Sequence, residues 1–272
     1  MGSCFDGIDQ FSAFVNGIVV RAHPERLFLC ADVLRELAAS GAVAIVLNRH
    51  LQEILSSPDA DSVLWNGGVL LAGTSEWSLR CYRYYRKPSA IYTLPYVSLV
   101  TALSGRMPVY NLYDLPADYV NAEFSCGLRL GPKKEARDSG NGIIRLDGRS
   151  HAIDPDFDHP VVVLRLDSAV IDDLQWRFDR NTLRAEHAIS TREEDSQLVA
   201  IANVLGAMGD KHVVEALALL SQHPRHFVRW AAIINVGRIS REAALDLVRL
   251  AITDTHPEIR TAAKLTLARA GA

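Results

Sequence analysis

Apolar positions recur with three different spacings along this chain. Near the N-terminus, Leu27, Cys30 and Leu34 follow one another at three- and four-residue intervals, which predicts an amphipathic helix that ends at Gly41. A second helix is expected over residues 42–55, before a Ser-Ser-Pro-Asp stop signal. Such helices need a surface to pack against, so we interpret residues 1–58 as a helical flank of the domain that follows.

From residue 59 to residue 175 the spacing shortens to two. Residues 78–84 alternate in a period of two, and runs rich in β-branched and aromatic residues follow at 91–103 and 109–113. Further strands are predicted at 124–130, 142–146 and 161–167. Clusters of Gly, Pro, Asp and Asn separate the runs, as expected of turns. Six or more short strands with little helix between them favour an antiparallel sandwich or barrel. Residues 176–192, which include a hydrophilic stretch, are interpreted as a connector.

The remaining residues, 193–272, return to a helical pattern that repeats itself at a shift of 31 residues. Residues 227–232 align with 258–263, and residues 205–208 align with 236–239. One helix pair of this length cannot bury its apolar stripe alone, but stacked pairs share a continuous core. Small residues at the repeated positions allow close helix contacts: Ala231, Ala232, Ala262 and Ala263.

The two V/I-R-x-A-A units and the sequence Leu-Gly-Ala-Met-Gly-Asp at 205–210 resemble HEAT repeats, in particular the short bilin-lyase-type variety. The resemblance covers about 80 residues and implies an α-solenoid that binds a protein or peptide partner. Within this segment His226, Arg229 and Trp230 form a polar and aromatic cluster at the start of one helix. Trp and Arg are common interface anchors, so these three residues are the candidate partner-binding site. The alternative is structural, with Trp230 in the core and Arg229 bonded to the next turn.

The β region resembles the cupin family, whose small double-sheet barrels often hold a metal on histidines. Gly140, Gly148 and His151 stand where the second cupin motif has Gly, Gly and His. Under the same alignment two histidines and a glutamate of the first motif are replaced, by Tyr92, Leu94 and Ser98. The resemblance therefore implies a cupin-like barrel without most metal ligands, so no metal is expected, although a small-molecule ligand in the barrel is possible.

A local alternative remains open in the same region. His151, Asp154 and His159 could supply two imidazoles and one carboxylate, a set that binds Fe(II) with open positions for oxygen chemistry. Against this, such ligands usually come from separate strands that face one cavity. The surrounding prolines and acidic residues also fit a solvated loop.

Charge and hydropathy narrow the choice of partner. The net charge is −3, and residues 193–272 carry nine basic and nine acidic side chains, so a basic surface for nucleic acid is not expected. No apolar run approaches the roughly 18–20 residues that span a bilayer, and a secretory signal is absent from the N-terminal sequence. We therefore expect a cytoplasmic protein with no membrane or nucleic-acid partner.

These observations lead to one preferred function and one alternative. The fold class is α+β multidomain, with a helical flank, a cupin-like barrel or sandwich and a HEAT-like α-solenoid. The preferred function is a non-catalytic adaptor or regulatory protein that holds a protein or peptide. The alternative is a cupin-type Fe-dependent oxygenase or hydroxylase whose substrate is presented by the helical stack.

Overall fold

Strands and helices are segregated along the chain, which divides into two units between Thr191 and Arg192. The computed structural model describes residues 7–19, 21–56, 64–65, 68–104, 106–121, 124–136 and 142–271. The first unit is helical at its start and then forms β-sheet, whereas the second is helical throughout. In the part of the chain that is described, no helix is long and apolar enough to cross a membrane.

The first unit begins with helices whose apolar side packs on a sheet. Gly41 has a φ of +79°, a left-handed conformation that glycine adopts at low cost, and it separates the second and third α-helices. Phe11, Leu27 and Leu34 are fully buried in a core shared with strand residues. The helical elements are α1 (Ile8–Ile18), a 3-10 helix (Pro24–Cys30), α2 (Ala31–Ala39) and α3 (Ala42–Ser56).

Two six-stranded antiparallel sheets follow, in the orders β1-β2-β3-β10-β5-β8 and β12-β11-β4-β9-β6-β7. The predicted antiparallel arrangement is therefore confirmed, but the strands in the described part of the chain do not form a closed barrel. The strands are β1 (Leu64–Trp65), β2 (Gly68–Gly73), β3 (Trp77–Tyr84), β4 (Ala90–Thr93), β5 (Val97–Ser104), β6 (Val109–Asp114), β7 (Lys133–Ala136), β8 (Ile144–Asp147), β9 (His151–Asp156), β10 (Val161–Ser168), β11 (Leu174–Asp179) and β12 (Ala185–Ser190).

Strand β3 shows how the layers are arranged. Side chains alternate between the two faces of a strand. Trp77 and Leu79 belong to the core shared with the helices, whereas Tyr82 belongs to a second core that also contains Tyr110 and Ile153 of the other sheet. The first sheet therefore has helices on one face and residues of the second sheet on the other.

Three sequence-based boundaries differ from the structure. The predicted strand at 91–103 is two strands, β4 and β5, which belong to different sheets. The predicted connector at 176–192 contains most of β11 and all of β12, because Trp176 and Phe178 alternate inward and are fully buried. In residues 124–130, also predicted as a strand, the described structure holds only an isolated bridge between Arg129 and Arg184.

In its described residues, 192–271, the second unit contains five α-helices and one short 3-10 helix. Ala202 and Leu217 pack with residues of the middle helix in one core, and Ile233 and Val248 pack with the last helix in another. The elements are α4 (Glu193–Met208), the 3-10 helix (Lys211–Val213), α5 (Val214–Leu220), α6 (His226–Ile239), α7 (Arg241–Ala251) and α8 (Pro257–Ala270).

The 31-residue shift relates equivalent positions of the second unit. Val228 and Ile259 are both buried, as are Ala232 and Ala263. Ala231 and Ala262, which the sequence also places at close contacts, are only half-buried. The close helix contacts therefore involve the second alanine of each pair.

Candidate functional site

Arg229 joins one helix pair to the next. Its Nε and Nη2 donate to the Asp254 carboxylate at 2.8 and 2.5 Å, and its Nη1 donates to the carbonyl oxygens of His223 and Pro224, both at 2.9 Å. The Arg229 and Asp254 side chains are only 11% and 12% exposed. Burial raises the pKa of Asp254, but hydrogen bonds from Arg229 and from the His256 backbone outweigh it, so the pKa is lowered.

Arg260 repeats part of this arrangement 31 residues later. Its Nη1 donates to the carbonyl oxygens of Asp254 and Thr255, both at 2.8 Å. Both arginines thus bond the loop that precedes their own helix, which satisfies carbonyl groups at the break between helices. Four hydrogen bonds within the helical unit occupy the Arg229 guanidinium. They support the structural alternative for this residue.

Trp230 lies beside this junction and is half-buried. It packs against the core formed by Ile233, Val248, Ile259 and other residues of the last two helices. The indole therefore contributes to the contact between α6 and its neighbours, and only part of its surface is available for a partner.

His226 stacks on His256, with ring centroids 3.6 Å apart and an angle of 4° between the planes. Burial lowers the pKa of His226 to about 4, and His256 and Arg229 lower it in the same direction. The Nδ1 of His256 accepts a hydrogen bond from the backbone N–H of Glu258 at 3.3 Å. In this arrangement the stacked imidazole of His226 is neutral near pH 7.

Ligand atoms of His226, His256 and Glu258 lie within 4.8 Å of one another, a set that the sequence alone did not suggest. A metal ion binds an imidazole nitrogen close to the ring plane, at about 2.0–2.1 Å. Because the two ring planes are parallel and separated, no position lies in both. A shared ion would require one ring to turn, so the observed geometry favours stacking over chelation.

Large apolar side chains are exposed at equivalent positions of the repeats. Leu219 of α5 and Leu250 of α7, which are 31 residues apart, are 67% and 72% exposed. Ile234 of α6 and Leu265 of α8, also 31 apart, are 44% and 54% exposed. The shift that relates the buried alanines could have identified these positions in the sequence, but a leucine in a helix is usually assigned to the core.

The proposed Fe ligands are held apart by the strand that carries two of them. His151 and Asp154 are three residues apart on β9, so their side chains leave on opposite faces. Asp154 receives two hydrogen bonds from Arg180, at 2.8 and 2.7 Å, and His151 lies 3.3 Å from Asp114. His159 accepts from the backbone N–H of Arg106 at 3.4 Å. In the described residues these three side chains do not form a common metal-binding group.

Residues at the remaining cupin motif positions lie between the two sheets or next to that space. Tyr92 and Leu94 line a cavity there, and Ser98 is buried and donates a hydrogen bond to Asp167. A Cβ on Gly148 would collide with the backbone of Leu94 and Tyr96, so this glycine permits a close approach of two chain segments. Gly140 lies outside the described residues.

Comparison with known proteins supports the repeat assignment. A family model of HEAT repeats matches residues 186–269, which include α4 to α7 and all but the last residue of α8. A crystal structure of the protein NMB1881 from Neisseria meningitidis is 11% identical and covers 43% of this chain and 93% of its own, with a TM-score of 0.23. No curated protein matches the chain. Nothing in these comparisons supports the cupin resemblance.

Proposed function

We propose that the protein is a non-catalytic adaptor whose HEAT-type helical unit binds a protein or peptide partner. The observation that carries this proposal is the recurrence of exposed leucines on the second helix of each pair, Leu219 and Leu250. We call these two residues the leucine ridge. An exposed leucine in isolation needs no explanation, but its repetition at the same position of two successive repeats forms a periodic apolar surface.

The chemistry beside the ridge indicates what it would bind. Glu215 precedes Leu219 by four residues, and Asp246 precedes Leu250 by four, which places each carboxylate on the same helix face as its leucine. All four side chains are exposed. Asp246 already pairs with Arg249 at 2.7 Å, so Glu215 is the carboxylate that would receive a basic side chain. Neighbouring packed helices are about 8–10 Å apart, and a partner segment with two apolar side chains at this spacing and a basic side chain near Leu219 would fit this surface.

The candidate cluster of the sequence analysis has a supporting role in this proposal. Arg229 and Asp254 connect successive helix pairs, and Trp230 packs against the same junction. These residues would fix the spacing of the leucine ridge without contacting the partner through their buried atoms. Trp230 is half-buried, so the exposed part of its side chain remains available for an additional contact.

The test is a double substitution of the ridge, Leu219→Ser with Leu250→Ser, in the full chain. Removal of exposed leucines should leave the free energy of unfolding nearly unchanged, while proteins captured reproducibly from the native extract by the wild-type protein should be lost. Binding of each captured protein is then measured with purified components. The matched control is Leu51→Ser with Leu55→Ser on α3, where the leucines are 54% and 72% exposed.

Loss of binding in the ridge variant alone would support the proposal. Equal binding by the wild-type protein and the ridge variant would contradict it, as would equal loss in the control. A ridge variant that loses stability would also contradict the assignment of these leucines to an exposed surface.

A further inference from the structure

The space between the two sheets of the first unit contains a cavity of about 810 Å³. This volume falls within the range of small-molecule sites, roughly 300–1,000 Å³. Much of the lining is aromatic or aliphatic, as is typical of such sites. Its charged lining residues are Arg80 and Arg165, and none of the described residues that line it is acidic.

Arg165 is held in place by hydrogen bonds within the first unit. Its Nε donates to Asp167 at 2.9 Å, and its Nη2 donates to the hydroxyls of Tyr82 and Tyr96, each at 2.9 Å. Ser98 donates to the other oxygen of Asp167. The Tyr84 side chain also interacts with this guanidinium, which is therefore fixed in the wall of the cavity.

Arg80 lies directly opposite Arg165 in the pairing of β3 with β10. Like charges at opposed positions of antiparallel strands destabilise the pair, and Asp167 balances only one of the two guanidinium groups. The Nε of Arg80 is buried and has no hydrogen-bond partner among the described residues. A buried donor in this condition carries a desolvation cost that an acceptor would remove.

A second donor lines the same cavity. The hydroxyl of Tyr110 is buried and makes no hydrogen bond of normal geometry in the described part of the chain, and the Tyr84 side chain lies close enough to interact with it. Burial raises the pKa of Tyr110 and of Tyr96, so both hydroxyls remain protonated near pH 7. The cavity therefore combines excess positive charge, an unused donor on Arg80 and a largely apolar lining.

We propose that this cavity binds an organic carboxylate with an aromatic or aliphatic body, whose carboxylate pairs with Arg80 and Arg165. A carboxylate accepts hydrogen bonds from planar guanidinium groups, and the Tyr110 hydroxyl supplies a further donor. A cation would meet uncompensated positive charge, and a neutral ligand would leave the Arg80 charge unbalanced. This proposal is independent of the function proposed for the helical unit.

The experiment measures binding of small probes to the full chain by calorimetry and by thermal shift. The carboxylates are benzoate, phenylacetate and octanoate, and each is compared with its neutral amide. Sulfate and inorganic phosphate are the inorganic anions. We expect at least one carboxylate to bind and its amide to bind about tenfold more weakly or worse, because a hydrogen bond to a charged group contributes about 1.5–3 kcal/mol.

Two variants locate the site. Arg80→Gln removes the guanidinium whose Nε has no partner among the described residues, so it should weaken carboxylate binding about tenfold or more while leaving the free protein as stable as before. Tyr110→Phe keeps the ring and removes the hydroxyl, and it should weaken the same probe less. Arg83→Gln is the control, since Arg83 is an exposed arginine of the same strand and its loss should leave affinity unchanged.

Several outcomes would overturn the proposal. The first is that no carboxylate probe binds with a Kd below about 10 mM. The second is that a carboxylate and its amide bind with equal affinity, and the third is that sulfate or phosphate binds as tightly as the organic carboxylates. Retention of full affinity in both Arg80→Gln and Tyr110→Phe would also overturn it. If Arg80→Gln does not fold, the comparison of acid with amide in the wild-type protein and the Tyr110→Phe result still decide the question.

Discussion

Arg229 and Asp254 form a two-point ion pair, with nitrogen–oxygen distances of 2.8 and 2.5 Å, between the first turn of α6 and the loop before α8. The same guanidinium also bonds two carbonyl oxygens of the loop before α6. One side chain thus connects two loops that are far apart in sequence. The planar fork of arginine makes this possible, and a lysine ammonium could not reproduce it.

Arg229→Ala should lower the free energy of unfolding by roughly 3–5 kcal/mol, because removal of one partner leaves the other charge buried and unpaired. Arg229→Lys should recover only a part of this loss. The measurement is chemical denaturation of the full chain, followed by far-UV circular dichroism. Arg249→Ala is the control, because the Arg249–Asp246 pair is exposed and should contribute less than about 1 kcal/mol. Equal effects of Arg229→Ala and Arg249→Ala would refute the structural role.

Ala232→Asp and Ala263→Asp should each destabilise the protein by roughly 3 kcal/mol or more, because both alanines are fully buried and a carboxylate there would have no partner. Ala200→Asp, at an exposed position of α4, should change stability much less. Thermal unfolding of the three variants checks this expectation. If Ala232→Asp were as stable as the wild-type protein, the assignment of this alanine to a close contact between helices would be wrong.

Acidification should destabilise the protein through His226. Its pKa is lowered from 6.5 to about 4 in the folded state, so the unfolded chain binds more protons between these values. Stability therefore rises with pH across that interval and is lost as the pH falls from about 6.5 toward 4. The groups that face this imidazole include His256, Arg225, Arg229 and Asp254.

Substitution of His226 by glutamine should flatten this dependence of unfolding free energy on pH. His212→Gln provides the comparison, since the His212 side chain is 95% exposed. Denaturation curves at several pH values between about 4 and 7 measure the slope for each variant. An unchanged slope in His226→Gln would mean that this imidazole does not contribute.

Trp230→Ala should destabilise the protein by roughly 2 kcal/mol, about half the 3–5 kcal/mol typical of a buried aromatic, because the indole is half-buried against the α6–α8 core. Trp176→Ala should lower the free energy of unfolding by about 3–5 kcal/mol, the full value for a buried aromatic. Trp176 is fully buried, and its Nε1 donates to the carbonyl of Asn121 at 3.0 Å. Denaturation midpoints of the two variants test the ranking. If Trp230→Ala had almost no effect on stability, the indole would not belong to the core, and the prediction that it faces a partner would be supported.

Sequence reasoning succeeded where the signal is local and repeated. The helices near the N-terminus were placed by apolar spacing, and the break at Gly41 was placed by its glycine. The repeats were placed by residues such as Val228 and Ile259. It failed at β11 and β12, where short strands and hydrophilic turns resemble a linker. It also missed the pairing of His226 with His256, because residues 30 positions apart are brought together only by packing of the helices.

The sequence by itself determined which side chains share a face, because the periods of 3.6 and 2 are properties of the backbone. It therefore determined that Leu79 and Arg80 point to opposite sides of β3, and that Ala232 and Ala263 are equivalent. Only the tertiary structure decided which side is enclosed. Helices cover the Leu79 face and residues of the second sheet cover the Arg80 face, so an arginine that alternation alone would assign to solvent lines a cavity beside Arg165. Strand periodicity distinguishes two faces, whereas their environments depend on elements that are distant in sequence.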